Sequence, residues 1–209
     1  MLKTAVIGVG YLGRFHAQKL ASLPESELIG VVDINPEQGQ KVSDELDVPF
    51  YLNIEEVLNK VDAVSIAVPT VHHYKSAKAF LANGVHVLLE KPFAETIEEA
   101  EELAQLASDN NVSLQIGHLE RFNPVFAEFQ KLIDQPKFIE NIRIAPFPKR
   151  GTDVDVILDL MIHDIDLVLA AVGEFPETVE GIGVKFVTSS SDLAKARLRF
   201  PCGCIADLT

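Results

Sequence analysis

Three glycines spaced as Gly8-Val9-Gly10-Tyr11-Leu12-Gly13, with an acid, Asp33, twenty residues beyond the last of them, have the types and spacing to hold a dinucleotide. In such a motif the first glycine permits a tight turn, the second lets the backbone approach a pyrophosphate, and the third lets a helix pack closely on a sheet. The pyrophosphate then meets the free N–H groups of a helix N-terminus. An acid placed like Asp33 accepts hydrogen bonds from an adenosine ribose and repels a 2′-phosphate. The expected cofactor is therefore NAD, with NADP disfavoured, held by Gly8, Gly10, Tyr11, Leu12, Gly13, Asp33 and Ile34. A glycine-rich turn that merely needs positive φ is the plainer reading. It is disfavoured because an apolar run precedes the motif, a helical pattern (Leu12, Phe15, His16, Leu20) follows it, and the acid stands at the right distance.

Two further places could move a proton beside a nicotinamide. Lys91, in Glu90-Lys91-Pro92, follows an apolar run, and its ammonium could orient a substrate hydroxyl or share its proton. Spacing alone also allows an ordinary solvated lysine. Asp159 and His163 stand four apart in a helical pattern and so share a face, where the carboxylate would fix the imidazole tautomer and raise its basicity. His163 is thus a candidate general base, with solvated acids around a core histidine as the alternative. Histidine with carboxylates can also bind zinc or iron. No third ligand is signalled, so no metal site is expected. His72 and His73 follow Pro69 and either reach the nicotinamide ribose or cover the sheet. Cys202 and Cys204, two apart in a strand-like stretch, suit neither an ordinary disulfide nor a four-ligand zinc site and read as packing residues in a reducing compartment.

These residues need a scaffold, and the pattern around them alternates strand and helix. Residues 4–7 and 28–32 read as strands. Residues 36–46 read as a helix with Asn35 as N-cap and Pro36 at its first position. A short helix is expected at 54–59 and a buried strand at 63–68, broken by Pro69. Thr70 should cap a helix running to about residue 82, stopped by Asn83-Gly84. A strand at 85–89, a helix at 96–108 with Thr96 and Glu99 as a capping box, and a strand at 112–116 complete the series. Such alternation predicts an α/β, doubly wound parallel sheet over residues 1–120, with ligands at the carboxyl ends of its strands. Those ends include Ala67, Pro69, Glu90 and the loop 117–124. Residues 121–209 change character: a helix at 123–132, a strand at 139–145, a long amphipathic helix at 156–172, and strands at 179–187, 193–200 and 204–208. The second part is expected to be an α+β domain with a mostly antiparallel sheet, incomplete because the chain stops in mid-strand.

With 18 Lys and Arg against 31 Asp and Glu, the formal charge is −13, which disfavours nucleic acid and anionic membranes as partners. No apolar stretch approaches the ~20 residues of a membrane span, and the first strand leaves no room for a signal peptide, so a cytoplasmic location is expected. A hydrophobic content of 47% is ample for a core.

Gly8-Val9-Gly10-Tyr11-Leu12-Gly13, Pro69 with His73, Glu90-Lys91-Pro92, Arg121-Phe122-Asn123-Pro124, and Asp159 with His163 resemble, in this order, the Gfo/Idh/MocA family of NAD(P)-dependent oxidoreductases. The resemblance implies that Lys91 and His163 are the catalytic pair, that Asp159 supports the histidine or contacts substrate, and that Glu90 helps hold the nicotinamide half. It places Arg121 and Asn123 near a sugar or sugar-nucleotide substrate and implies self-association through the second sheet. Residues 117–124 and 150–156 are also similar to a subgroup containing UDP-N-acetylglucosamine 3-dehydrogenases. The expected reaction is hydride transfer from a secondary hydroxyl to NAD. The alternatives are a non-catalytic NAD-binding regulator or scaffold, or an inactive fragment of such an enzyme.

Overall fold

The apolar run behind the glycine motif forms β1 (Leu2–Ile7), and its last four residues are buried. In the computed structural model, residues 1–146 and 154–209 are described, and they divide into two units, Met1–Gly117 and His118–Thr209. Residues 150–153, part of the segment carrying the narrower resemblance, lie outside the described residues.

In the first unit β1 is followed by α1 (Tyr11–Ser22), β2 (Ser26–Val32), α2 (Pro36–Leu46), β3 (Phe50–Tyr51), β4 (Ala63–Ile66), α3 (His73–Ala82), β5 (His86–Leu89), α4 (Ile97–Asp109) and β6 (Leu114–Ile116). The six strands lie in the order β3-β2-β1-β4-β5-β6, all parallel. Alternate residues of one strand serve opposite faces. Ala5 and Ile7 join Val64, Ile66, Val87 and Leu89 under Phe80 and Leu81 of α3 and Leu103 of α4. Val6 turns the other way, with Val31, toward Ala17 of α1 and Val42 of α2. Full burial of each large apolar side chain contributes about 1.5–3 kcal/mol, which makes this double layer the main stabilising feature of the unit. The strand order reverses between β1 and β4, and that is where a doubly wound sheet opens a crevice.

The second unit begins with a 3₁₀ turn, Leu119–Phe122, then α5 (Pro124–Leu132), β7 (Phe138–Asn141), a π-helical turn, Ile157–Met161, running into α6 (Ile162–Val172), and β8 (Thr178–Val184), β9 (Leu193–Arg199) and β10 (Ile205–Leu208). Its sheet has the order β7-β10-β9-β8, with β8, β9 and β10 antiparallel and β7 parallel to β10. Ala194, Leu198 and Phe200, with Ala206 and Leu208, face Met161 and Val168 in a second core. The opposite face carries charge, including a bidentate pair between Arg197 and Asp207 at 2.6 Å on both contacts.

Several expectations are corrected. The strand pair Phe50–Tyr51 was not expected, and residues 54–59 form only a 3₁₀ turn, Ile54–Glu56. Thr70 does not cap α3: it opens a 3₁₀ turn with no side-chain cap bond. The helix expected at 156–172 is π-helical in its first turn. The strand expected at 139–145 ends at Asn141. Cys202 and Cys204 flank Gly203 in the turn between β9 and β10; Cys204 is buried, but Cys202 is exposed and is not a packing residue. The strand latest in sequence, β10, lies inside the second sheet, with β7 and β9 on either side. No helix among the described residues is long and apolar enough to cross a membrane.

Candidate active site

At the end of β1 the chain turns through Gly8, whose φ of +80° belongs to the left-handed region that other residues rarely adopt. A Cβ at Gly8 would also stand 2.9 Å from the Ala67 carbonyl oxygen, and one at Gly13 would overlap the Gly8 carbonyl oxygen. At Gly10 a Cβ would meet nothing within 4 Å, so the loop is tight where it meets protein and open where a ligand would lie. Asp33 fixes this loop: one oxygen accepts from the Val9 N–H at 2.8 Å, the other from the Asn35 N–H at 2.8 Å. Gln38 completes the clamp by donating to the Val9 carbonyl at 2.6 Å.

The crevice beside this loop has a volume of about 520 Å³. Gly8, Gly10, Asp33, Ile34, Ala67 and Pro69 line it, together with His72, Lys75 and Ser76, which begin the next helical segment. Asn53 and Glu55 line it too, so the crevice offers backbone amides, two carboxylates, the Lys75 ammonium and small apolar walls, a lining that fits a dinucleotide. Tyr11, Leu12, Gly13, His73, Glu90 and Lys91 are not among its lining residues. Tyr11 and Leu12 are exposed on the first turn of α1.

The loop Glu90-Lys91-Pro92 follows β5 and contains a cis peptide bond between Lys91 and Pro92. Two imidazoles brace it. His73 is 1% exposed, with Nδ1 2.7 Å from the Pro92 carbonyl oxygen and Nε2 3.0 Å from that of Val68. Both ring nitrogens face backbone carbonyls, and since a neutral imidazole carries one N–H it donates to one of them while packing against the other, lying between the loop after β4 and the loop after β5. His16, from α1, places Nδ1 2.6 Å from the Ser65 hydroxyl and Nε2 3.2 Å from Glu90 Oε1. The other Glu90 oxygen accepts from the Lys91 N–H at 3.2 Å. Burial raises the Glu90 carboxyl, but hydrogen bonding and charge from His16, together with the Lys91 N–H and the Lys91 charge, outweigh it, and the net direction is below the ordinary value. Glu90 therefore points into the protein, toward α1.

In the second unit Asp155 caps the π turn, accepting from the N–H groups of Ile157 at 3.1 Å and Leu158 at 3.0 Å. Asp159 lies on that turn and lines a cavity of about 400 Å³ with Val156, Leu160, Phe186 and Thr188. His163 falls in the first turn of α6. The π turn makes the separation of Asp159 and His163 depart from a pure 3.6-residue period; such turns are frequent at functional sites. Arg121 makes a bidentate pair with buried Asp166, both contacts at 2.7 Å. Asn123 spends its side-chain oxygen on the Val125 N–H as the N-cap of α5. A parallel clamp joins Arg143 to buried Asp164 at 2.7–3.0 Å, with Asn141 donating to the same carboxylate. That pairing holds the Arg143 guanidinium more firmly in its charged form. His118 Nδ1 is buried with no hydrogen-bond partner among the described residues and lies 3.9 Å from Asp166. Among the described residues no group of three or more His, Cys, Asp or Glu is placed to hold a metal ion.

Residues that sequence reasoning passed over are His16, Ser65, Gln38, Arg143, Asp164 and Asp166. The acids two apart on α6 were visible and Arg121 was singled out, but as a substrate contact and not as the partner of Asp166, and nothing local marked Arg143.

Comparison with known proteins agrees with this architecture. Residues 2–118 match the model of the Gfo/Idh/MocA oxidoreductase family, described as having an NAD-binding Rossmann fold. The chain is 42% identical over 208 residues to UDP-N-acetylglucosamine 3-dehydrogenase of Acidithiobacillus ferrooxidans, covering 99% of this chain and 66% of that protein. It is 28% identical over 195 residues to scyllo-inositol 2-dehydrogenase (NAD(+)) of Bacillus subtilis, covering 87% of this chain and 57% of the relative. A solved structure of the A. ferrooxidans enzyme superposes with a TM-score of 0.93, covering 99% of this chain and 66% of that one. That of myo-inositol 2-dehydrogenase from Lactobacillus plantarum, 24% identical, covers 99% and 68% with a TM-score of 0.90 and shares the fold. The chain thus spans two thirds or less of the length of these two curated relatives.

Proposed function

We propose, from the premise that this chain belongs to the NAD-binding Gfo/Idh/MocA oxidoreductase family, that it oxidises a secondary hydroxyl of a sugar nucleotide, with UDP-N-acetylglucosamine at carbon 3 as the leading substrate. The observation that carries this reading is 42% identity across 99% of the chain to an enzyme of that name. A bound nicotinamide supplies the hydride acceptor. The backbone of Gly8 and Gly10 would face the pyrophosphate, and Asp33 would accept from the adenosine ribose through lone pairs its two backbone bonds leave over. Ala67 and Pro69 would wall the crevice. Lys91 orients the reacting hydroxyl and shares its proton, while His163 takes up the proton as general base. Asp159 orients the imidazole or holds a neighbouring hydroxyl.

Arg121 and Asn123 are assigned to shaping the segment at the start of the second unit. Their side chains are committed to Asp166 and to the α5 N-terminus, which argues against direct substrate contact. Glu90 and His73 likewise act from behind the Lys91 loop. Self-association is placed on the charged face of the second sheet, following the family resemblance.

The test is incubation of the full chain with NAD and, separately, UDP-N-acetylglucosamine, scyllo-inositol and glucose 6-phosphate, following the absorbance of the reduced cofactor. Turnover of the sugar nucleotide with little of the others supports the reading. NAD binding with no turnover of any of the three overturns it in favour of a non-catalytic binding role.

A further inference from the structure

Behind the Lys91 loop lies a chain of polar groups that line no part of the dinucleotide crevice: the Ser65 hydroxyl, the His16 imidazole, the Glu90 carboxylate and the Lys91 N–H. Serine, histidine and glutamate in this succession have the connectivity of a hydrolytic triad, but Ser65 is 2% exposed in the interior strand β4, between β1 and β5. No substrate carbonyl can reach it, so the array cannot act as an activated nucleophile. Its outlet is the amide of Lys91.

We infer that His16 is a positioning residue: its imidazole, braced by Ser65, holds the Glu90 carboxylate against the Lys91 amide and so fixes the loop that carries Lys91. The inference rests on the reading of Lys91 as a proton-sharing group. Three observations support it. Glu90 is 6% exposed, and a carboxylate so buried needs a partner to remain ionised. His16 supplies that partner from a different element, the helix that opens at the glycine motif. A Cβ at Gly117 would stand 2.8 Å from Glu90 Oε1, so the chain just after β6 passes close against the carboxylate. The charged or titratable groups facing Glu90 are His16 from α1 and Lys91 beside it in the loop. His73 braces the other end through Pro92, so the loop is tied at both sides of Lys91.

The experiment follows the Glu90 carboxyl by ¹³C NMR in the full chain without substrate, the signal being assigned by its loss in Glu90→Gln. In the unaltered protein the carboxylate should stay ionised into acid below the ordinary glutamate range. In His16→Phe burial is opposed by the Lys91 segment alone, so the midpoint should rise by about one pH unit, and the Lys91 amide signal should move with it. His16→Gln restores a donor and should reverse most of the change. If His16→Phe does not fold, Ser65→Ala should move the midpoint in the same direction by less. Turnover of the sugar nucleotide should show a lower kcat for His16→Phe, recovering as pH rises, with NAD affinity unchanged. A Glu90 midpoint that His16→Phe and Ser65→Ala both leave unmoved overturns the inference. Absence of turnover in the unaltered protein overturns the proposed reaction alone, because the NMR titration is read independently of it.

Discussion

Asp33 carries two duties with one carboxylate, clamping the glycine loop through Val9 and facing the crevice at the end of β2. A 2′-phosphate there would meet its charge in a partly desolvated place, so NAD should bind at least about tenfold tighter than NADP in calorimetric titration. Equal affinities would mean that the backbone bonds use Asp33 up. Lys91→Ala and His163→Ala should each lower turnover by roughly 10²-fold or more, as for lost proton-transfer groups. His163→Ala should leave NAD affinity nearly unchanged, since every residue lining the crevice precedes it in the first unit; a variant that kept most of its turnover would end the general-base assignment. At this scale the sequence was readable where spacing is local, as from Gly8 to Asp33. It was silent about His16, because the contact with Ser65 joins residues 49 apart and that with Glu90 spans further still.

Helix ends show the same division. α2 begins and ends where its sequence predicts because its signals are within reach of its own backbone: the Asn35 side chain accepts from Glu37 and Gln38, and Pro36 sits at the first position. The Glu99 carboxylate reaches back as a capping box predicts, though it accepts from Glu95, one residue before the cap. The π turn at Ile157–Met161 was not legible, since an apolar periodicity of 3.6 is kept while the hydrogen bonding shifts by one residue. Thr70 misled because a capping type stood at the right place, yet the chain made a 3₁₀ turn instead. Two substitutions separate local from tertiary control. Asn35→Ala should cost about 1 kcal/mol in urea unfolding, the value of one exposed cap. Arg143→Met should cost about 3 kcal/mol or more, because it strands the Asp164 carboxylate, 2% exposed, without its charge partner. Similar losses from both would show that the clamp beneath α6 contributes no more than a surface pair.

Across the whole molecule the excess of acids sets the response to pH. Glu45, Glu90, Glu102, Glu174, Asp192 and Asp207 all titrate below their ordinary values in the folded chain, through hydrogen bonds to Arg14, His16, Lys78, the Cys202 segment, the amides of residues 186–188, and Arg197, with Glu90 doing so against its burial. Groups lowered on folding add stability that is fully present above the unfolded carboxylate range, near about pH 4, and is lost as pH falls through the folded values. Urea midpoints should therefore hold steady between about pH 6 and 8 and fall progressively below about pH 4.5; a midpoint unchanged at pH 3 would contradict these pairings. The central place of β10 bears on how the chain acquires its shape during synthesis. β7 leaves the ribosome some sixty residues before the strand it pairs with, and β9 gains its second neighbour only then, so no portion of the second sheet beyond the β8–β9 hairpin can close early. The first unit has every strand in hand by residue 117. Stalled nascent chains of increasing length should accordingly become protease-resistant in two separate steps, the second arriving only when residues 205–208 have cleared the exit tunnel.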